Sequence, residues 1–96
     1  ESIKYKIWKL ATINEPVNIW GLGDITWHIA TENLVHLDVL DYIDNDPAFR
    51  NQTYNGKPVL ERPTNGAPIV ILSQGQRQRL IANIREMGIT NDIIEI

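Results

Sequence analysis

The chain has 96 residues, 43% of them hydrophobic and none of them cysteine, which makes one small domain without disulfides or thiolate metal sites. Its net charge of −3 and the lack of a basic stripe exclude nucleic acid as the main partner. No apolar run reaches the ~18 residues of a membrane span, and the first residues do not read as a secretory signal. Residues 1–48 carry three Lys against eight acids, and residues 49–96 six Lys or Arg against four acids. That split suits head-to-tail contact between copies about as well as it suits ordinary surface scatter.

Ile3-Lys4-Tyr5-Lys6-Ile7 alternates apolar and polar residues, the period of a half-buried strand, with Trp8 and Leu10 on the opposite face. Asn14-Glu15-Pro16 breaks it. Val17 to Trp20 predicts a second strand, closed by Gly21-Leu22-Gly23. A helix is expected over 25–32, capped by Asp24 or Thr26, with Trp27, Ile29 and Ala30 as its apolar face. A second helix is expected over 37–44, with Leu37, Leu40 and Ile43, or Val39 and Ile43, on one side and Asp38, Asp41 and Asp44 on the other. Asn45-Asp46-Pro47 ends it, because Pro47 cannot continue a hydrogen-bonded helix.

Residues 48–66 hold Asn55-Gly56, Lys57-Pro58, Arg62-Pro63 and Asn65-Gly66, all turn signals, and read as a long loop, functional or mobile. Ile69 to Leu72 predicts a buried strand. Ser73 with Gln76 makes a capping box for a helix over 74–87, with Leu80, Ile81, Ile84 and Met87 as its stripe and Gly88 as its C-terminal cap. Asp92 to Ile96 alternates weakly and predicts a last strand.

Chemistry-bearing groups are sparse. His28 and Glu32 share a helix face and His36 is near, but a zinc site needs further ligands and no thiol is present. Asp44-Asn45-Asp46 resembles the start of a calcium loop without its Gly or its distal Glu. Ser73, His36 and Asp38 lack the context of a nucleophile elbow, and Asp41 and Asp44 sit on a helix face that reads as solvated. Gly21-Leu22-Gly23 lacks the third glycine of a dinucleotide fingerprint. Arg77, Arg79 and Arg85 are candidates for phosphate contact, but Arg77 and Arg79 point to different sides of a helix, so a solubility role is expected. Asn51-Gln52-Thr53 matches the glycosylation triplet, a pattern common by chance. Three tryptophans exceed what one small core needs, so either Trp8 or Trp20 faces sugar rings or another subunit, or all three indoles fill the core.

Gly23-Asp24-Ile25-Thr26-Trp27-His28-Ile29-Ala30 and the later Gly66-Ala67-Pro68-Ile69-Val70-Ile71 together resemble the two ends of a LysM module. Leu40, Asn45 and Pro47 fall near the expected Leu and Asn-Pro positions between them. The chain departs from the pattern at Ile25, in the long stretch from Pro47 to Gly66, and in its flanking elements. Single, embellished modules of this kind are similar to small tail and baseplate proteins of contractile phages and related injection machines.

The resemblance implies an α+β domain over 1–96, with a strand–helix–helix–strand LysM-like core over 17–72. An N-terminal strand and a C-terminal helix–strand over 73–96 are added to it. The core strands are expected to pair antiparallel, with Gly23 and Gly66 at adjoining turns. The function implied is structural assembly in a phage-like tail or baseplate, in a virion or cytoplasm, without catalysis, cofactor or metal. Its partners would be other subunits or copies of itself, met through Trp8, Leu10, Trp20, Ile93, Ile94 and Ile96. The alternative is a cell-wall or extracellular module that binds N-acetylglucosamine polymers, peptidoglycan or chitin, through Asp24, Ile25, Thr26, Asn45, Asp46 and Pro47. A small α+β interaction or regulatory module is the third reading.

Overall fold

The computed structural model describes residues 3–23, 37–71 and 75–96. The helix expected over 25–32 lies outside them, as do Asp24, Ile25, Thr26, His28, Glu32, His36 and Ser73.

The first element is a helix, α1 (Ile3–Ala11), and not the expected strand. The reason lies further along: Ile7 and Leu10 are three residues apart, so a helix puts both on one face. Leu10 is fully buried there and Ile7 packs beside it, while Tyr5 and Trp8 face outward. The helix closes where the Thr12 N–H and hydroxyl both donate to the Lys9 carbonyl.

Next comes β1 (Val17–Trp20), in which every residue is buried. A strand buried on both faces is the mark of a central parallel strand. It lies between β2 (Val39–Ile43) and β5 (Ile69–Ile71), parallel to each. Residues 39–43 are thus a strand where a helix over 37–44 was expected. β2 is bulged against β1: Val17 faces Val39 and Ile19 faces Tyr42, so β2 spends three residues where β1 spends two. The strand splits the apolar stripe on which the helix was expected: Leu37, Val39 and Tyr42 pack into one core cluster and Ile43 into the other.

After β2, Asp46 accepts the Ala48 N–H and caps one turn of 3-10 helix over Pro47–Phe49. The irregular stretch then forms a hairpin of β3 (Thr53–Tyr54) and β4 (Lys57–Leu60), turning on Asn55 and Gly56 with φ of 50° and 78°. Left-handed backbone at both turn residues suits Asn-Gly and matches strand twist. β4 continues parallel to β2, with Tyr42 opposite Val59 and Ile43 opposite Leu60.

The C-terminal helix and last strand form where expected, but the helix begins at Arg77 and not at 74: Gln76 is its N-cap and makes no side-chain capping bond, so the expected capping box does not open it. α2 (Arg77–Glu86) ends at Gly88, whose φ of 80° needs a residue without Cβ. The Arg85 guanidinium donates to the carbonyls of Ile89 and Asn91 and holds the turn into β6 (Ile93–Glu95), which runs parallel to β5.

The sheet is six-stranded and mixed, in the order β3-β4-β2-β1-β5-β6. One face carries Leu10 from α1 with Val17, Ile19, Leu22, Tyr42, Val70 and Ile96. The other carries Trp20, Ile43, Ile69 and Ile71 against Ile84 of α2 and Ile89. Among the described residues two helices pack on a six-stranded mixed sheet, so the α+β character stands. The antiparallel pairing expected of strands 17–20 and 69–72 does not: they pair, but in parallel. Gly23 therefore follows the carboxyl end of β1 while Gly66 precedes the amino end of β5. Among the described residues the chain does not form the strand–helix–helix–strand order, because 39–43 is a strand.

Candidate ligand site at the carboxyl ends of the parallel strands

The chain moves outward in both directions from β1. β2 and β4 stack on one side of it, β5 and β6 on the other. Open parallel sheets bind ligands outside the carboxyl ends of the strands, at the point where the strand order reverses. Here that point lies between β1 and β5.

The carboxyl end of β1 is the loop Gly21-Leu22-Gly23. Gly21 takes φ of 94°, a conformation that a side chain strains, and its N–H donates to the Ile43 carbonyl at 2.9 Å. Leu22 is driven into the core with 2% of its surface exposed, which leaves its N–H turned toward the end of β2. There Asp44 receives it: Asp44 Oδ2 accepts the Leu22 N–H at 2.9 Å and Oδ1 accepts the Asp46 N–H at 2.8 Å. The Asp44 N–H in turn donates to the Leu60 carbonyl at 3.0 Å. One aspartate thus links the ends of β1, β2 and β4. Each carboxylate oxygen keeps a further lone pair for another donor.

Two hollows flank this junction. One, of about 430 Å³, lies beside Leu22 and Gly23 and is walled by Phe49, Gln52, Tyr54 and Val59, with no charged residue in its lining. The other, of about 310 Å³, runs along Asp44, Asn45 and Asp46 to Arg50 and Glu61. The Arg50–Glu61 pair, at 3.9 Å and mostly exposed, adds little to stability. On the β5 side, Gly75, Gln76 and Arg79 sit at the start of α2 around a third depression of about 510 Å³.

The amino end of the sheet is built differently. Asn18, with no exposed surface, and Asn65 exchange side-chain hydrogen bonds at 2.9 and 3.0 Å. Asn65 also donates to Asp41 Oδ2 at 3.0 Å, and Asn91 donates to the carbonyls of Asn65 and Ala67. This network joins β1, β2 and the segments before β5 and β6, and its job is structural.

No family model matches the chain, and no curated protein or solved structure is significantly similar to it.

Of the residues expected to touch a glycan, Asn45, Asp46 and Pro47 come together at the end of β2, and Asp46 is engaged in capping. Of those expected at a partner interface, Trp8 is 61% exposed. Leu10, Trp20 and Ile96 are core residues, held by α1 and by the two faces of the sheet. Ile93 and Ile94 are half-buried on β6, the last strand on its side of the sheet. Sequence reasoning missed Asp44 as the tether of the β1 loop. No sequence pattern signals it, because the donor that Asp44 receives is a main-chain N–H. Among the described residues no three His, Asp or Glu side chains converge to hold a metal, and no helix is long and apolar enough to cross a membrane.

Proposed function

We propose that this chain is a small-molecule binding domain of the doubly wound type, whose ligand is a phosphorylated, nucleoside-like compound held at the carboxyl ends of β1, β2 and β5. The observation that carries this reading is the reversal of strand order at β1, with Gly21-Leu22-Gly23 at its carboxyl end and Asp44 at the end of the neighbouring strand.

The chemistry of the groups supports each part. A loop with Gly at both ends lets a ligand approach the backbone closely. Asp44, twenty-one residues after Gly23, stands where doubly wound sheets place the acid that accepts a ribose hydroxyl. The uncharged hollow walled by Phe49 and Tyr54 suits a flat, neutral ring. Asp44, Asp46 and Glu61 repel phosphate from the β2–β4 side, whereas Gly75, Gln76 and Arg79 offer backbone amides and a cation on the β5 side.

Thermal melting against a panel of nucleotides, dinucleotides and nucleotide sugars tests the reading. A true ligand at a hundredfold excess over Kd stabilises by about 2.7 kcal/mol, which moves the midpoint of a domain this size by roughly 10 to 20 °C. A panel that leaves the midpoint unmoved sinks it.

One observation favours a second reading, the assembly role that the LysM-like pattern implies. Tyr5 and Trp8 stand exposed on α1 with ring centroids 6.1 Å apart, and exposed aromatics concentrate binding energy at protein contacts. Concentration-dependent sedimentation that is abolished by Trp8→Ala would support it; a monomer at all concentrations would remove self-association from it.

A further inference from the structure

The dipeptide Asn-Gly occurs twice, at Asn55-Gly56 and at Asn65-Gly66, and the fold treats the two copies differently. Asn-Gly is labile because glycine carries no Cβ beside its nitrogen, so that nitrogen can reach the asparagine Cγ. Asn65 is restrained against this. Its Nδ2 donates to Asn18 Oδ1 and to Asp41 Oδ2, both at 3.0 Å, and its Oδ1 accepts from Asn18 Nδ2 and the Ala67 N–H, both at 2.9 Å. Asn55 instead forms the exposed tip of the β3–β4 hairpin. Its Nδ2 donates to Tyr42 Oη at 3.0 Å, and nothing lies within 4 Å of where a Cβ on Gly56 would stand.

We propose that Asn55 is a site of spontaneous deamidation and that the fold protects Asn65. The Gly56 nitrogen forms a bond to Asn55 Cγ while the Cγ–Nδ2 bond breaks. The side-chain nitrogen leaves as ammonia, taking up the proton that the Gly56 nitrogen gives off. Water then opens the five-membered imide at one carbonyl to give aspartate, or at the other to give isoaspartate. Nothing is oxidised or reduced; one water enters and one ammonia leaves. Either product replaces a donor to Tyr42 Oη with a carboxylate. Isoaspartate also adds a methylene to the main chain of a two-residue turn that sets Thr53 opposite Pro58 and Tyr54 opposite Lys57. Thr53 and Tyr54 wall the hollow beside Gly23, so the change reshapes that wall as the protein ages. This inference stands on the hairpin alone and holds whether or not a nucleotide binds.

The test is peptide mapping by mass spectrometry of folded protein held in mildly alkaline buffer, with the denatured chain as reference. Asn55 is expected to gain one mass unit, with isoaspartate among the products. It should convert about tenfold or more faster than Asn65, where attack first breaks two native hydrogen bonds. In denaturant the two sites should convert at comparable rates. Asn55→Gly, which tolerates a positive φ, should remove the early product and leave conversion at Asn65 unchanged. Equal rates at the two sites in the folded protein would overturn the proposal. So would an Asn55 that stays intact in the folded chain while the denatured chain converts.

Discussion

The carboxylate of Asp44 accepts the backbone N–H of Leu22 at 2.9 Å, across 22 positions of sequence and between the ends of two adjacent parallel strands. The bond sets the attitude of the Gly21-Leu22-Gly23 loop, and with it any surface that the loop offers to a ligand.

Asp44→Ala is therefore expected to destabilise by about 1–3 kcal/mol, since the N–H groups of Leu22 and Asp46 lose a charged acceptor. Asp44→Asn should lose less, because its amide oxygen can still accept one of the two. Urea unfolding of the three proteins measures this. Equal stability of wild type and Asp44→Ala would show that the tether carries no weight.

Gly21→Ala meets no steric neighbour, yet it forces a Cβ onto a backbone with φ of 94°. A loss of about 1–2 kcal/mol is expected from the left-handed conformation alone. If the melting temperature does not fall, the loop relaxes freely, and the Asp44 tether does not fix its geometry.

The Asn18–Asn65 pair gives a prediction at the other end of the sheet. Asn18→Ala leaves the Asn65 side chain short of two partners in a largely buried position, for a loss of about 1–3 kcal/mol from the orphaned polar groups. The double replacement Asn18→Ala with Asn65→Ala should cost clearly less than the sum of the singles, because the residues form one network. Additive losses in a double-mutant cycle would contradict the pairing.

Two neighbours on α1 separate core from surface. Leu10→Ala empties a fully buried site and should cost about 2–5 kcal/mol. Trp8→Ala, at a side chain 61% exposed, should change stability by no more than about 0.5 kcal/mol. A large loss on Trp8→Ala in the isolated chain would place that indole in the core.

Particular residues explain what was legible in the sequence. Leu80, Ile81 and Ile84 with Gly88 gave α2 and its end, since both the apolar stripe and the left-handed cap are local properties. The runs Val17–Trp20 and Ile69–Ile71 gave two strands and their adjacency. Their direction was not legible, because a strand buried on both faces carries no alternation from which to judge its partner. β2 was misread because Leu37, Leu40 and Ile43 recur at a helical spacing, whereas the strand sends Leu37 and Ile43 to different core clusters. The alternation at Ile3–Ile7 was too short to outweigh the Ile7–Leu10 spacing that buries α1. The candidate site was the least legible part. It joins Leu22 to Asp44 through a main-chain N–H, a donor that every residue except proline carries and no pattern reveals.

Backbone amide spectra of the isotopically labelled protein, recorded through a titration with the nucleotide panel, test the central claim most directly. Saturable shifts are expected at Gly21, Leu22, Gly23, Asp44 and Gly75, with Asn18, Asn65 and Ala67 at the amino end of the sheet unmoved. Spectra that stay unchanged across the panel, or shifts gathered at the Asn18–Asn65 end, would contradict it.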